Sequence, residues 1–197
     1  MVKEKRIVEK SDLIAADLYS KNRKQIRKEL VEFKKNRRVA LGPYATFYFE
    51  SFETMCGQIQ EMLYIEKGGE QQLKDELAAY NPLIPKGQEL VATLMFEIDN
   101  PISRADFLSK VGGIEEKVYL HIEKEKINAI AETDVDRTSA EGKASSVQFL
   151  HFSFSKDQIS KFKDDKNEIS LCVNHKLYDH KTILSKDIKK ALMKDFI

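Results

Sequence analysis

The stretch that decides the fold runs from Arg37 to Ile65, RRVALGPYATFYFESFETMCGQIQEMLYI. Here a basic helical segment ends, two alternating runs flank Gly42-Pro43, and a helix-period pattern starts after Ser51. Gly permits unusual φ and Pro cannot donate to a sheet ladder, so residues 39–41 and 45–50 read as strands joined by a hairpin or sharp corner. Ser51 then caps a helix to about Glu66, whose Met55, Ile59, Met62 and Leu63 form an apolar stripe. Gln58 and Glu61, three residues apart, share a face of that helix.

Upstream, Tyr19, Ile26, Leu30 and Phe33 recur at helical spacing, with Lys24, Lys28 and Lys35 away from the stripe. Ser11 followed by Asp12 is a start signal, so the basic helical segment spans about 11–38 and packs on the rest as one helix or two. Residues 1–38 hold thirteen Lys and Arg against six Asp and Glu, leaving twenty against twenty-six for the remainder. Such asymmetry is one mark of a nucleic-acid surface, but no base-stacking aromatics are interleaved with the cations, so a solvated or docked helix face is the simpler reading.

Downstream, Gly68-Gly69 breaks the helix, and residues 70–80 restart one with Leu73 and Leu77 in register. The two prolines of YNPLIP, residues 80–85, predict an extended, non-helical segment that presents Tyr80 and Asn81 at its entrance. Residues 89–98 are apolar on both alternating faces, as suits a central strand. Asn100-Pro101 starts a helix to about Val111, ended by Gly112-Gly113. Strands at 116–123 and 127–131 flank Lys124-Glu125-Lys126 as a hairpin. A patternless loop over 132–146 precedes a strand at 147–154, a Ser155/Gln158 capping box with a short helix, a strand at 168–174 and a C-terminal helix over 185–196. The fold class this predicts is α+β, a mainly antiparallel sheet packed against several helices, in one domain.

At 197 residues, 42% hydrophobic and 33% charged, the chain is long enough for a substantial core with solvated helix faces. No apolar run approaches a membrane span and the N-terminus lacks the apolar core of a secretion signal, so a cytoplasmic location is expected. Cys56 and Cys172 are too few and too far apart to build a zinc site, an iron–sulfur cluster or a disulfide framework, and both read as buried thiols.

The sequence contains no P-loop, GxGxxG, HExxH, GxSxG or CxxC motif. A His121–Glu123–His151 metal site requires their strands to be neighbours, and solvated surface histidines are the simpler reading. Asp134, Asp136 and Thr138 resemble the start of a calcium loop, but Ser139 stands where the turn glycine belongs and Ser145 where the bidentate glutamate belongs. No metal or cofactor is expected. Glu50, Glu61 and Glu97 lie in or beside apolar elements, where burial raises a carboxyl pKa unless a partner such as Arg37 or Arg38 compensates. A cleft between the QIQEML helix, YNPLIP and the ATLMFEI strand would be lined by Gln58, Glu61, Tyr80 and Glu97, with Arg38 and Asn81 at hand.

The segments RRVALGP, QIQEML, YNPLIP, ATLMFEI and the NHxxY of Asn174 to Tyr178 together resemble the uncharacterised bacterial family catalogued as domain of unknown function 3501, from about Ser11 to Tyr178. The resemblance adds His175 and Tyr178 to the candidate site residues. In the strand where the family's pattern carries His and Arg, this chain has Gln148 and His151. The resemblance also implies neighbours of rubrerythrin-like or iron–sulfur oxidoreductase type, and hence a role beside peroxide or electron-transfer chemistry. The expected function is therefore a non-catalytic accessory or binding protein in a redox or oxidative-stress pathway. The alternatives are an enzyme or small-ligand binder using the carboxylate- and amide-lined cleft, and nucleic-acid binding through the N-terminal helix.

Overall fold

The computed structural model describes residues 5–132 and 142–197. The calcium-like residues Asp134, Asp136 and Thr138 lie outside them. In chain order the elements are α1 (Ala16–Lys34), β1 (Arg38–Leu41), β2 (Ala45–Phe49), α2 (Phe52–Glu66), α3 (Gly69–Tyr80), β3 (Glu89–Phe96), α4 (Pro101–Lys110), β4 (Val118–Ile122), β5 (Glu125–Asn128), β6 (Ile130–Ala131), β7 (Val147–Ser153), α5 (Lys156–Lys163), β8 (Ile169–His175), β9 (Tyr178–Ile183) and α6 (Lys186–Leu192). They form an α+β fold with two sheets, ordered β1-β2-β3-β7-β6 and β5-β4-β8-β9, every pairing antiparallel.

Side-chain alternation explains the layering. On β2 and β3, Phe47, Phe49, Leu90, Ala92, Leu94 and Phe96 point into a core shared with Leu120, Ile122, Leu171 and Val173 of the second sheet. Val91, on the other face of β3, packs with Met55 and Ile59 of α2 and with Leu83 and Ile84. Helices cover one face of the first sheet and the second sheet covers the other. That is why β3 is apolar on both faces. Each fully buried Leu, Ile or Phe contributes roughly 1.5–3 kcal/mol.

Local chemistry sets the helix ends. The Ser51 hydroxyl accepts from Thr54 N and the Thr54 hydroxyl accepts from Ser51 N, a reciprocal cap. Asn100 Oδ1 accepts from Ile102 N and Ser103 N, ahead of a helix whose first residue is Pro101. Ser155 and Gln158 form the capping box read from the sequence. At Gly57, α1 crosses so close to α2 that an added Cβ would lie 2.5 Å from Leu30 Cδ2.

Several elements differ from the sequence reading. Asp12 closes a 3-10 turn with Glu9, and α1 begins at Ala16 and runs unbroken through Ser20–Asn22. Asn81–Leu83 is one 3-10 turn, because a proline in the first turn loses no hydrogen bond there; the chain becomes extended only at Ile84. Glu123 takes a left-handed φ of 52°, which makes the hairpin tighter and starts β5 at Glu125. The predicted strand 127–131 divides, with Ile127 in the second sheet and Ala131 in the first. Strand β9 is an addition that the sequence reading did not contain.

Candidate functional site

The structure distributes the sequence-derived site residues among four places. Arg38 and Glu97 meet at 3.2 Å on the helix-side face of the first sheet, beyond the helices. Glu97 also accepts from the hydroxyls of Thr46 (2.5 Å) and Tyr48 (2.7 Å). The Thr46 bond, the Tyr48 bond and the Arg38 charge together overcome burial and hold its carboxyl below the usual range. Burial first, then the Glu97 hydrogen bond, pushes the Tyr48 phenol up to about 12. Glu61 is elsewhere, on the α1 side of α2. It takes a two-pronged ion pair from Arg23 (2.9 and 2.8 Å) and the Tyr19 hydroxyl, and the Arg23 bond is the main cause of its lowered pKa.

Gln58 and Tyr80 do come together, with Gln58 Nε2 3.5 Å from the phenol oxygen. Asn81 faces the N-terminal segment, accepting from Val8 N (2.7 Å) and donating to Val8 O (3.0 Å), so its amide fixes that segment in place. His175 and Tyr178 are cross-strand partners at the β8–β9 turn. The His175 ring accepts from Leu177 N, and burial lowers its pKa. The Tyr178 hydroxyl donates to Leu41 O and accepts from Tyr44 N and Ala45 N, tying the second sheet to the β1–β2 turn.

The His121–Glu123–His151 grouping does not form, because β4 pairs with β5 and β8 whereas β7 pairs with β3 and β6. His151 instead lies across three strands of the first sheet, opposite Val91 on β3 and Ile130 on β6. Its Nδ1 is 3.1 Å from Glu89 Oε2 and its Nε2 is 2.8 Å from Glu132 Oε1. The Glu89 bond raises the His151 pKa; burial opposes that and Glu132 reinforces it. Burial alone would raise the Glu89 carboxyl, but His151 and Lys86 outweigh it and hold it low. The cluster thus sets one imidazole between two carboxylates, an arrangement that favours its protonated form. With both ring nitrogens engaged by carboxylates, the ring acts as an anchor between them.

Beside this clamp is a pocket of about 340 Å³, walled by Ala79, Tyr80, Pro82, Leu83 and Phe149, with Glu132 at its edge. Its size and apolar lining with one or two polar groups suit a small organic molecule. The YNPLIP signal marked one wall. The other walls come from β7 and the end of β6, and only strand pairing brings them there. Burial pushes the thiols of Cys56, half-buried, and Cys172, buried, up and so away from the reactive thiolate. Among the described residues no group of three His, Cys, Asp or Glu side chains stands where it could hold a metal ion, and no helix is long and apolar enough to cross a membrane.

The profile of a family described as protein of unknown function (DUF3501) matches residues 7–196. A solved structure from Burkholderia pseudomallei K96243, a novel protein of unknown function, is similar at a TM-score of 0.89 and 33% sequence identity, over 96% of this chain and 99% of that one. No curated protein matches.

Proposed function

The chain belongs to the DUF3501 family of proteins of unknown function, and from that premise we propose that it is a non-catalytic binding protein seating a small ligand between Tyr80 and Phe149. In this reading it serves as an accessory to redox chemistry carried out by other cytoplasmic proteins. One observation carries the ligand-binding part: an apolar pocket opens beside a carboxylate, Glu132, that His151 Nε2 already engages at 2.8 Å. The carboxylates in or beside apolar elements are occupied: buried Glu50 by the hydroxyls of Thr54 and Thr93, Glu61 by Arg23, and Glu97 by Arg38, Thr46 and Tyr48. A carboxylate already held by fixed partners serves recognition better than proton transfer, which needs a group poised to change charge. The redox setting is supported by the family resemblance alone, with rubrerythrin-like or iron–sulfur oxidoreductase proteins as the partners it implies.

Ligand-observed NMR with small apolar amines, alcohols and acids tests the seat. Binding that disappears when Phe149→Trp fills the pocket supports it, and binding indifferent to that substitution refutes it. Co-purification of the untagged protein with its redox neighbours tests the setting separately; failure to enrich any of them removes the redox assignment and leaves the seat standing.

A further inference from the structure

The basic helix α1 is electrically two-sided. The helical repeat puts Ser20, Lys24, Arg27, Lys28 and Val31 on one flank and Leu18, Gln25, Glu29 and Glu32 on the other. The cationic flank and Tyr64 of α2 line a shallow groove of about 520 Å³. Arg23, at its inner edge, is held by Glu61, and Arg27 reaches the same carboxylate only at 4.0 Å. Lys24 and Lys28 meet no carboxylate among the described residues. Val31, one turn beyond Arg27 and Lys28 at the C-terminal end of the groove, is 59% exposed.

We propose that this groove docks an acidic amphipathic helix of a partner protein. Charge complementarity selects an acidic occupant, since unpaired Lys24 and Lys28, one turn apart, match carboxylates one turn apart on a facing helix. The exposed Val31, with Arg27 and Lys28 one turn before it and Lys34 and Lys35 one turn after it, selects a partner with an apolar stripe, because an aliphatic side chain flanked by charge is the pattern of a protein interface core and its rim. A single-stranded nucleic acid fits less well. Its bases need a free aromatic face, and the Tyr64 ring is covered by the Arg23 guanidinium at 4.7 Å and edged by Tyr19. The surface lies on elements that do not line the Tyr80–Phe149 pocket, so it stands or falls independently of the ligand seat.

The test is fluorescence anisotropy on the full chain with a labelled synthetic helix bearing glutamates on one face and leucines on the other. Its comparators are the same peptide with lysines for glutamates and an oligothymidylate. The acidic peptide is expected to bind, to lose roughly tenfold or more in affinity with Lys24→Glu/Lys28→Glu, and to lose several-fold with Val31→Ser. Lys176→Glu, on the β8–β9 turn and away from the groove, should change it less than about twofold, and thermal melts confirm that each variant is folded. Equal weakening by Lys176→Glu, or indifference to Val31→Ser, would reduce the effect to bulk charge and overturn the proposal. Tighter binding of oligothymidylate that Lys24→Glu/Lys28→Glu abolishes would overturn it in favour of nucleic acid.

Discussion

The phenol of Tyr178 reaches 2.5 Å to the carbonyl oxygen of Leu41, so one side chain of the second sheet closes the β1–β2 turn of the first. The same oxygen accepts from Tyr44 N at 3.1 Å and Ala45 N at 2.9 Å. Tyr178→Phe keeps the packing against Phe96 and Phe107 but leaves three backbone groups to find other partners. It is expected to cost ~1–3 kcal/mol in denaturant melts, and Tyr178→Ala ~3–5 kcal/mol. If Tyr178→Phe were neutral, the turn would be held by something other than this hydroxyl.

The Glu89–His151–Glu132 clamp predicts a pH window. His151 has a raised folded pKa, so its stabilisation is fully present below the ordinary histidine pKa and is lost as pH rises through the raised value. Glu89 has a lowered folded pKa, so its share is present above the ordinary carboxylate pKa and is lost as pH falls through the depressed value. The clamp is therefore fullest between the carboxylate range and the raised His151 pKa. Denaturation midpoints measured across pH should show a shoulder there, and His151→Gln should flatten it. A variant whose stability follows the wild-type curve over the whole range would show that the clamp contributes nothing.

Much of the first sheet is legible in the sequence because its strands alternate against a core: Phe47 and Phe49 on β2, and both faces of β3. The caps at Ser51, Asn100 and Ser155 are legible for the same local reason. Strand β9 is not, since its exposed edge carries Asp179, His180, Lys181 and Thr182 and so lacks an apolar signature. The clamp is illegible for a different reason. Glu89 and His151 sit on β3 and β7 and Glu132 just past the end of β6, and only the register Val91↔His151 and Ile130↔His151 brings them together. Arg38 with Glu97 and Gln58 with Tyr80 do meet. The four polar residues expected to line one cleft nevertheless sit in three separate places, because Glu61 faces α1 and Glu97 faces the open end of the first sheet.

At the α1–α2 crossing, Gly57→Ala meets only Leu30 Cδ2, the tip of a flexible side chain. Alanine gains ~1 kcal/mol of helix propensity over glycine, and the displaced Leu30 gives some of it back. In a Leu30→Ala background the obstruction is gone, so Gly57→Ala should stabilise by close to the full ~1 kcal/mol. A double-mutant cycle by chemical denaturation reads the difference, and strict additivity of the two substitutions would rule out the close approach as the reason for glycine.

The buried pair Arg37–Asp195 predicts an asymmetry between its two members. Arg37 Nη1 and Nη2 hold the Asp195 carboxylate at 3.0 and 2.5 Å, fastening the C-terminal turn to the start of β1. Arg37 also donates to the carbonyls of Glu50 at 3.0 Å, Phe49 at 3.4 Å and Ala191 at 3.5 Å, whereas Asp195 is tied through Arg37. Removing one member of such a pair costs ~3–5 kcal/mol because it strands the other charge away from water. Arg37→Met strands Asp195 and takes the guanidinium from the Phe49 and Glu50 carbonyls, so it should be the costlier change, and Asp195→Asn, which keeps an acceptor for the guanidinium, the milder one. The double variant Arg37→Met/Asp195→Leu removes both charges yet still leaves the carbonyls of Phe49 and Glu50 without the guanidinium. It should therefore recover only part of the loss in urea melts. Full recovery would mean that the carbonyl contacts are incidental and that the corner at Arg37 is held by the ion pair alone.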